Sequence, residues 1–313
     1  TVSEIGLGCW QLGGDFGPVG EETAKAILDA ANAAGISFWD TADVYGGGLS
    51  ESRIGAHAKA RGTHVATKLG RAATLYPDKY SKDAIRASLE GSARRLGVKK
   101  LDLAQLHCVP MPVLRDGAIF GWMDELQAEG LVRHWGASVE TIEEGLLCLE
   151  QPGCATLQII FNLFRHDAAK ELLPRAAEKD VGIIVRLPLA SGLLSGKFGK
   201  DTRFAETDHR NFNADGKAFS VGETFSGIPF QRGVELVQAL KGLAPEAMEM
   251  SQFALRWILD HPQVSTVIAG VSKPEQIADN VAASEHKSLF PALMGQLSEW
   301  YEREVKPEIR GGV

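Results

Sequence analysis

Short apolar runs typical of β-strands alternate with longer helical stretches along the whole 313-residue chain. Eight such runs are present, and they end at Cys9, Asp40, Lys68, His107, Ser138, Ile160, Arg186 and Ala269. Nearly uninterrupted apolar strands separated by helices predict a parallel sheet that helices cover. Eight strand–helix units favour a single closed (β/α)₈ TIM barrel of the α/β class, forming one domain over residues 1–313. An open dinucleotide-binding sheet is less well supported, because no GxGxxG follows the first run.

The stretches between the strands carry helical periodicity. Between Ser81 and Gly97, apolar side chains recur every three or four residues, so Ser81 is the expected N-cap and Gly97 the expected stop. Residues 21–35 and 251–260 repeat this pattern. A long loop after the seventh strand, residues 190–229, breaks it and is rich in Gly, Ser, Asn and Asp. A loop of this length is usually a functional lid or a disordered segment, and both remain open here.

Bulk composition argues against several classes of protein. A net charge of −7 is unlike that of a nucleic-acid binder, which needs a basic face. No apolar run approaches the roughly 18 residues of a membrane-spanning helix, so we expect no membrane partner. The four cysteines form no CxxC pair and no recognisable ligand spacing. We therefore expect no metal site and a reducing, cytoplasmic location.

Polar side chains stand where the predicted strands end, which is where barrels of this class carry their chemistry. Asp40 closes the second strand, with Tyr45 on the loop after it, while Lys68 and His107 close the third and fourth. Taken singly, each has an ordinary interpretation: a rim charge for Asp40 or Lys68, and a packed core residue for Tyr45 or His107. Together, at strand ends that share one mouth, they favour an active site.

This set suits proton transfer to a carbonyl oxygen. A free tyrosine has a pKa of about 10, and a neighbouring ammonium group is expected to lower it. Asp40 would hold the Lys68 ammonium charged and in place, and His107 would orient the substrate oxygen. The set contains an acid but no electron source, so a hydride-donating cofactor is required.

These residues and their surroundings resemble the aldo-keto reductases, in particular the bacterial members. The likeness rests on GLGCW from Gly6, DTADVYG from Asp40, PLASGLLSGKF from Pro188 and GVSKPEQIADN from Gly270, and it runs nearly from end to end. The resemblance implies a barrel that binds NAD(P)H across its mouth and reduces aldehydes or ketones to alcohols. It makes Tyr45 the general acid and assigns Asp40, Lys68 and His107 the catalytic roles described above.

The resemblance also implies a set of cofactor-binding residues. They are Gly8, Cys9, Trp10, Asp40, Ser138, Gln158, Arg186, Leu187, Pro188, Leu189, Ser191, Gly192, Leu194, Lys197, Gly270, Ser272, Lys273, Gln276 and Asn280. Ser138 and Gln158 would hold the nicotinamide carboxamide, backbone NH groups of residues 189–197 the pyrophosphate, and Asn280 the adenine. Ser272 and Lys273, at a helix start, would seat a 2′-phosphate.

This chain departs from the family pattern at three of these places. Val139 replaces a common Asn, Arg186 stands where many members have an aromatic ring, and Gln276 replaces a frequent Arg. The resemblance favours NADP(H), with NAD(H) possible because the 2′-phosphate seat lacks that Arg.

Two other functions stay open beside carbonyl reduction. An NAD-dependent sugar or polyol dehydrogenase would run the same steps backwards, and a regulatory subunit would hold cofactor without rapid turnover. The partner is expected to be a small carbonyl or alcohol, which the loop at 109–120 and the tail after Asn280 would select. Trp10 and Phe16 either wall its pocket or cap the barrel. The sequence leaves the oligomeric state unknown.

Overall fold

A computed structural model describes residues 1–14, 17–57 and 62–312 and contains a closed barrel of eight parallel strands in chain order. The strands are β1 (Ile5–Gly8), β2 (Phe38–Asp40), β3 (His64–Leu69), β4 (Leu101–His107), β5 (Val132–Ser138), β6 (Cys154–Ile160), β7 (Gly182–Arg186) and β8 (Val264–Gly270). Gly8 of β1 pairs with Asp40 on one side and with Gly270 on the other, which closes the barrel. The predicted barrel and its eight strands are confirmed. Phe16 lies outside the described residues.

Helices connect the strands, and most of them cover the outside of the barrel. They are α1 (Glu21–Ala33), α2 (Leu49–His57), α3 (Lys82–Leu96), α4 (Met111–Asp116), α5 (Ala118–Ala128), α6 (Ile142–Leu149), α7 (Leu172–Glu178), α8 (His209–Phe212), α9 (Phe230–Lys241), α10 (Met250–Leu259), α11 (Glu275–Glu285) and α12 (Pro291–Trp300). The Ser81 hydroxyl accepts from the Ala84 NH and Gly97 adopts a left-handed conformation, so both predicted ends of α3 are confirmed. Across the described segments, every helix is too short or too polar to cross a membrane.

The apolar core has two parts. The larger lies between the barrel and its helices and includes Trp39 and Trp135, both fully buried. A small cluster from alternate strand positions contains Phe38, Ala66, Leu103, Ile184 and Ile268. Side chains two residues apart on a strand point to the same face. The next residues on this face are therefore Asp40, Lys68 and Gln105, which places the polar strand ends directly above an apolar floor.

The long loop between β7 and α9 folds without a strand, as the sequence predicts. It contains short helical turns and α8, and its own side chains hold it together. The Asn213 amide donates to Thr224 Oγ1 at 3.0 Å, and its oxygen accepts from the backbone NH groups of Ala218 and Phe219. The Ser191 hydroxyl donates to the Glu223 carbonyl at 3.1 Å, which ties the start of the loop to its end.

Candidate active site

A cavity of about 540 Å³ opens at the carboxyl ends of the strands. Eleven of the predicted site residues line it: Gly8, Cys9, Trp10, Asp40, Tyr45, His107, Gln158, Arg186, Leu187, Pro188 and Gly270. The rest of the predicted set lies beneath the cavity or along the loop and helix that lead away from it. The strand-end residues thus meet at one mouth, as their positions in the sequence indicate.

Lys68 is the hub of the catalytic cluster. Its side chain is 1% exposed, and its Nζ donates to Asp40 Oδ2 at 2.5 Å, to the Thr41 carbonyl at 2.8 Å and to Tyr45 Oη at 3.1 Å. The other oxygen of Asp40 accepts from Gln105 Nε2 at 3.0 Å and from Gln158 Nε2 at 2.8 Å. Lysine and aspartate are therefore buried as a pair whose hydrogen bonds come from four strands, which holds both rigidly.

The electrostatics of the cluster differ from the sequence expectation in one respect. Burial raises the pKa of Tyr45 above 10.0, and the nearby Lys68 ammonium, which lowers it, does not outweigh the loss of water. Burial also works against the Lys68 ammonium, but Asp40 and Tyr45 overcome it and raise the pKa of Lys68. The expected lowering of the Tyr45 pKa by Lys68 is present, but the effect of burial, which the sequence did not indicate, is larger. Tyr45 is therefore a protonated phenol beside the charged ammonium of Lys68.

His107 completes the cluster as a neutral imidazole. Burial, followed by the positive charges of Lys68, Arg71 and Arg186, holds the pKa of His107 well below its usual range. Its ring meets that of Tyr45 edge to face, with the centroids 6.0 Å apart. Its buried Nδ1 has no hydrogen-bond partner among the described residues. Trp10 stacks on the Tyr45 ring, with the centroids 5.7 Å apart.

A close backbone contact fixes the loop that carries Tyr45. Gly46 follows the tyrosine with a φ of 58°, and a Cβ there would lie 2.3 Å from the Gly13 carbonyl oxygen. Only glycine allows this approach, since other residues would clash and strain the backbone. The contact joins the loop after β2 to the loop after β1, so Tyr45 and Trp10 are positioned together.

Several buried polar atoms near the cavity could contact a nicotinamide cofactor. Ser138 Oγ donates to Gln158 Oε1 at 3.3 Å. Within the described part of the chain, Gln11 Oε1 and Arg186 Nε are buried without hydrogen-bond partners. Gln11 lies so close to Gly270 that a Cβ at 270 would come within 2.2 Å of its amide nitrogen. Buried polar atoms of this kind require a partner, and a bound dinucleotide would supply one. Sequence reasoning missed Gln11.

The segment 189–197, which the resemblance assigns to a pyrophosphate, forms consecutive turns. The NH groups of Gly192 and Leu194 donate to the Leu189 carbonyl. The Lys197 NH donates to the Ser195 hydroxyl at 3.3 Å. A pyrophosphate would have to share these bonds or replace them. The Leu194 side chain is fully buried, so any contribution from it would come through its backbone.

The start of α11 is also occupied by the chain itself. Gln276 Oε1 accepts from the Ser272 NH at 2.8 Å, from the Lys273 NH at 3.0 Å and from Ser272 Oγ at 3.3 Å. The predicted 2′-phosphate seat therefore has the expected donors, but a neutral amide oxygen satisfies them. Asn280, assigned to adenine, is 5% exposed on the same helix.

The cavity has a second charged group of residues that sequence reasoning missed. Arg71 bonds Glu140 at 2.9 Å and Glu223 at 3.3 Å, and Glu223 also lies 3.3 Å from Arg186. Arg186 Nη2 donates to the Val139 carbonyl at 3.2 Å, so its guanidinium reaches across the mouth. Arg71 and Glu140 lie just after strands β3 and β5, whereas Glu223 lies near the end of the long loop between β7 and α9. Arg71 and Glu140 could have been found from the sequence, because polar residues immediately after strand ends are expected to lie at the mouth of the barrel.

Cys108, Glu140 and Glu223 bring one ligand atom each within 4.8 Å of one another. This grouping is poorly suited to a cation, because guanidinium groups already pair with both carboxylates. Burial, opposed by Arg186 and Arg71, raises the pKa of the Cys108 thiol to about 12, which disfavours a thiolate ligand.

Comparison with known sequences and structures relates this chain to one protein family. A model of the Aldo/keto reductase family matches residues 4–302. A probable voltage-gated potassium channel subunit beta from Oryza sativa is 31% identical, over 97% of this chain and 93% of that protein. Aldo-keto reductase YhdN from Bacillus subtilis is 30% identical, over 88% and 83%. The glycerol dehydrogenase AKR11B4 from Gluconobacter oxydans superposes with a TM-score of 0.80 at 28% identity, over 100% of this chain and 95% of that one.

Proposed function

Since this chain belongs to the aldo/keto reductase family and is therefore an oxidoreductase that uses a nicotinamide cofactor, we propose that Tyr45 is its general acid in carbonyl reduction. One observation carries the assignment: Lys68 Nζ lies between Tyr45 Oη, at 3.1 Å, and Asp40 Oδ2, at 2.5 Å. A phenol in a water-poor mouth, hydrogen-bonded to a fixed ammonium, can give up a proton where oxyanion charge develops.

When bound, the cofactor supplies a hydride to the carbonyl carbon. The Tyr45 hydroxyl donates its proton to the carbonyl oxygen as that oxygen gains charge. The phenolate left behind faces the Lys68 ammonium, which Asp40 keeps in place. Neutral His107, with a pKa well below its usual range, orients the oxygen through a ring nitrogen without competing as an acid.

The proposed cofactor site combines the predicted residues with Gln11. Ser138, Gln158 and the side-chain oxygen of Gln11, which has no partner among the described residues, supply polar groups for the nicotinamide end. At the other end, the α11 N-terminus and the Lys273 side chain favour NADP(H) over NAD(H), because both attract a phosphate. Lys197 and the turns of residues 189–197 lie along the loop between these ends.

A polyol dehydrogenase is the second candidate, and Gln276 is the observation that favours it. This side chain satisfies the donors at the α11 start in place of a phosphate, which weakens selection against NAD(H). The named activity of the Gluconobacter neighbour, glycerol dehydrogenase, is of this class. The ratio of NADPH to NADH affinity distinguishes the two candidates.

A regulatory subunit is less well supported. The relatives from Oryza sativa and Arabidopsis thaliana carry the name of potassium channel beta subunits. Against this role, the Asp40, Tyr45, Lys68 and His107 set is complete and connected, as turnover requires.

We place the protein in the cytoplasm, with a small carbonyl or alcohol as its partner and no nucleic acid. Its four cysteines are buried free thiols, as is usual in a reducing compartment. Its net charge of −7 is unfavourable for binding a polyanion.

The test compares wild type with Tyr45→Phe. Initial rates of NADPH and NADH consumption are measured with a reactive aromatic aldehyde, and cofactor binding is measured separately by fluorescence. We expect the variant to lose about 10²- to 10⁴-fold in kcat while still binding cofactor. Equal rates in the two proteins would refute Tyr45 as the acid, and binding without Tyr45-dependent turnover in either direction would favour the regulatory subunit.

A further inference from the structure

We infer that the charged wall of the cavity, formed by Arg71, Glu140 and Glu223, selects a neutral carbonyl compound that carries hydroxyl groups and disfavours anionic substrates. This inference rests on the proposed function, since it names the substrate class of the same site. The wall stands beside the catalytic cluster: Arg71 follows β3, which carries Lys68, and Cys108, beside Glu223, follows His107.

The wall presents fixed hydrogen-bonding groups to the cavity. Glu223 is almost fully buried, but the Arg71 and Glu140 side chains keep 21% and 28% of their surface exposed. Arg71 uses Nη1 toward Glu223 and Nη2 toward Glu140, and each of these nitrogens carries a second proton. A ligand in the cavity therefore meets guanidinium donors and carboxylate acceptors side by side.

A hydroxyl group is the ligand group that fits such a surface, because it donates to a carboxylate and accepts from a guanidinium at once. An apolar chain in the same place would remove water from Arg71 and Glu140 without replacing its hydrogen bonds. The wall is therefore built for a substrate that carries its own hydrogen-bonding groups.

The charge balance of the cavity argues against anions. Among the described lining residues, two guanidinium groups, Arg71 and Arg186, face three carboxylates, Glu140, Glu144 and Glu223, while a fourth, Asp40, is paired with Lys68. The arginines are already engaged: Arg71 pairs with Glu140, and both arginines pair with Glu223. A carboxylate or phosphate substrate would have to break these pairs and would lie close to like charges. If only the positive charges of the two arginines were considered, a preference for anionic substrates would be expected.

Aromatic rings supply the remaining walls. Trp10 and Phe219 meet at 6.1 Å, and the Arg71 guanidinium lies 6.0 Å above the Phe219 ring. Tyr76 and Phe212, at 45% and 42% exposure, complete the rim. Apolar faces opposite a few fixed polar groups suit the C–H and O–H surfaces of a short polyhydroxylated chain.

The experiment uses two matched substrate pairs with saturating NADPH. Glyceraldehyde is compared with propanal, and 4-oxobutanoate with butanal, with all concentrations expressed as free carbonyl. For wild type we expect glyceraldehyde to exceed propanal by about tenfold in kcat/KM, and 4-oxobutanoate to fall about tenfold below butanal.

The decisive variant is Glu140→Gln, with Glu143→Gln as its matched control. Glu143 lies three residues further on, in the first turn of α6, pairs with Arg115 at 2.6 Å and is 69% exposed outside the cavity. Both variants lose one negative charge, so any long-range field effect is shared. In Glu140→Gln, Arg71 loses a charged partner, and we expect the ratio of 4-oxobutanoate to butanal to rise about tenfold. Glu143→Gln should keep the wild-type ratios. A gain of activity toward an anion cannot arise from misfolding.

Calorimetric binding of butyrate to the NADP⁺-loaded proteins tests the wall without turnover, and Glu140→Gln should bind it more tightly than Glu143→Gln. The inference is overturned if wild type treats glyceraldehyde and propanal alike, or if the two variants do not differ in either measurement. Tyr45-dependent reduction of an aromatic aldehyde would then still support the proposed function. If no carbonyl compound is turned over, the proposed function fails and the calorimetric comparison alone decides the inference.

Discussion

The catalytic cluster and the start of α11 satisfy their polar groups in opposite ways. At the cluster, Lys68 is buried and receives partners from separate strands and loops. At α11, the exposed donors of Ser272 and Lys273 are satisfied by Gln276, a residue of the same helix. The first arrangement is preorganised and protected from water. The second is local and can exchange with a ligand or with water.

The largest expected effect comes from breaking the buried pair. Lys68→Met would leave Asp40 charged and unpaired, at a cost of about 3–5 kcal/mol in the free energy of unfolding. Lys68→Met combined with Asp40→Asn should recover most of that stability but none of the carbonyl reduction. Urea unfolding and initial rates measure the two quantities. Recovery of activity in the double variant would show that the pair serves folding alone.

A fixed negative charge at the start of α11 should change cofactor binding. Gln276→Glu keeps the shape of the side chain but places a carboxylate where a 2′-phosphate would go. We expect NADPH affinity to fall about tenfold or more while NADH affinity changes little, because like charges repel at close range. Cofactor fluorescence titration measures both. Parallel losses for the two cofactors would mean that the phosphate binds elsewhere.

The effect of burial on the catalytic cluster can be tested by titrating the Tyr45 phenol. Because burial raises the pKa of Tyr45 above 10.0, its phenol should ionise with a midpoint above that of a free tyrosine. At a pH above the pKa of a free tyrosine, the folded state retains a proton that the unfolded state has lost, so the free energy of unfolding falls as pH rises. Ultraviolet difference absorbance between wild type and Tyr45→Phe reports the phenolate. A midpoint below 10 would show that Lys68 outweighs burial.

The smallest effect is expected at Lys197. Its side chain is exposed on the loop, and a single exposed cation adds little to binding at physiological salt. Lys197→Ala should weaken NADPH binding by about two- to fivefold, and less at high salt. A loss as large as that of Gln276→Glu would place the main phosphate contact on the loop instead of on α11.

This contrast also explains how much could be predicted from the sequence. The eight strands, the strand-end residues Asp40, Lys68 and His107, and Tyr45 on the loop after β2 follow from apolar periodicity and from the rule that strand ends share a mouth. Arg71 and Glu223 lie 152 residues apart, and no local pattern indicates that they pair. The net pKa shift of Tyr45 depends on the depth of burial. The engaged NH groups of residues 189–197 depend on loop turns. Neither can be read from spacing.

The four cysteines have a practical consequence for studying this protein. All are buried, and burial raises the pKa of each thiol, to about 12 for Cys108 and Cys154. Alkylating reagents act on thiolates, so the native protein should react slowly with maleimides at neutral pH. A single cysteine introduced on the exposed face of a helix could therefore carry a fluorophore or a surface tether without removing any native residue.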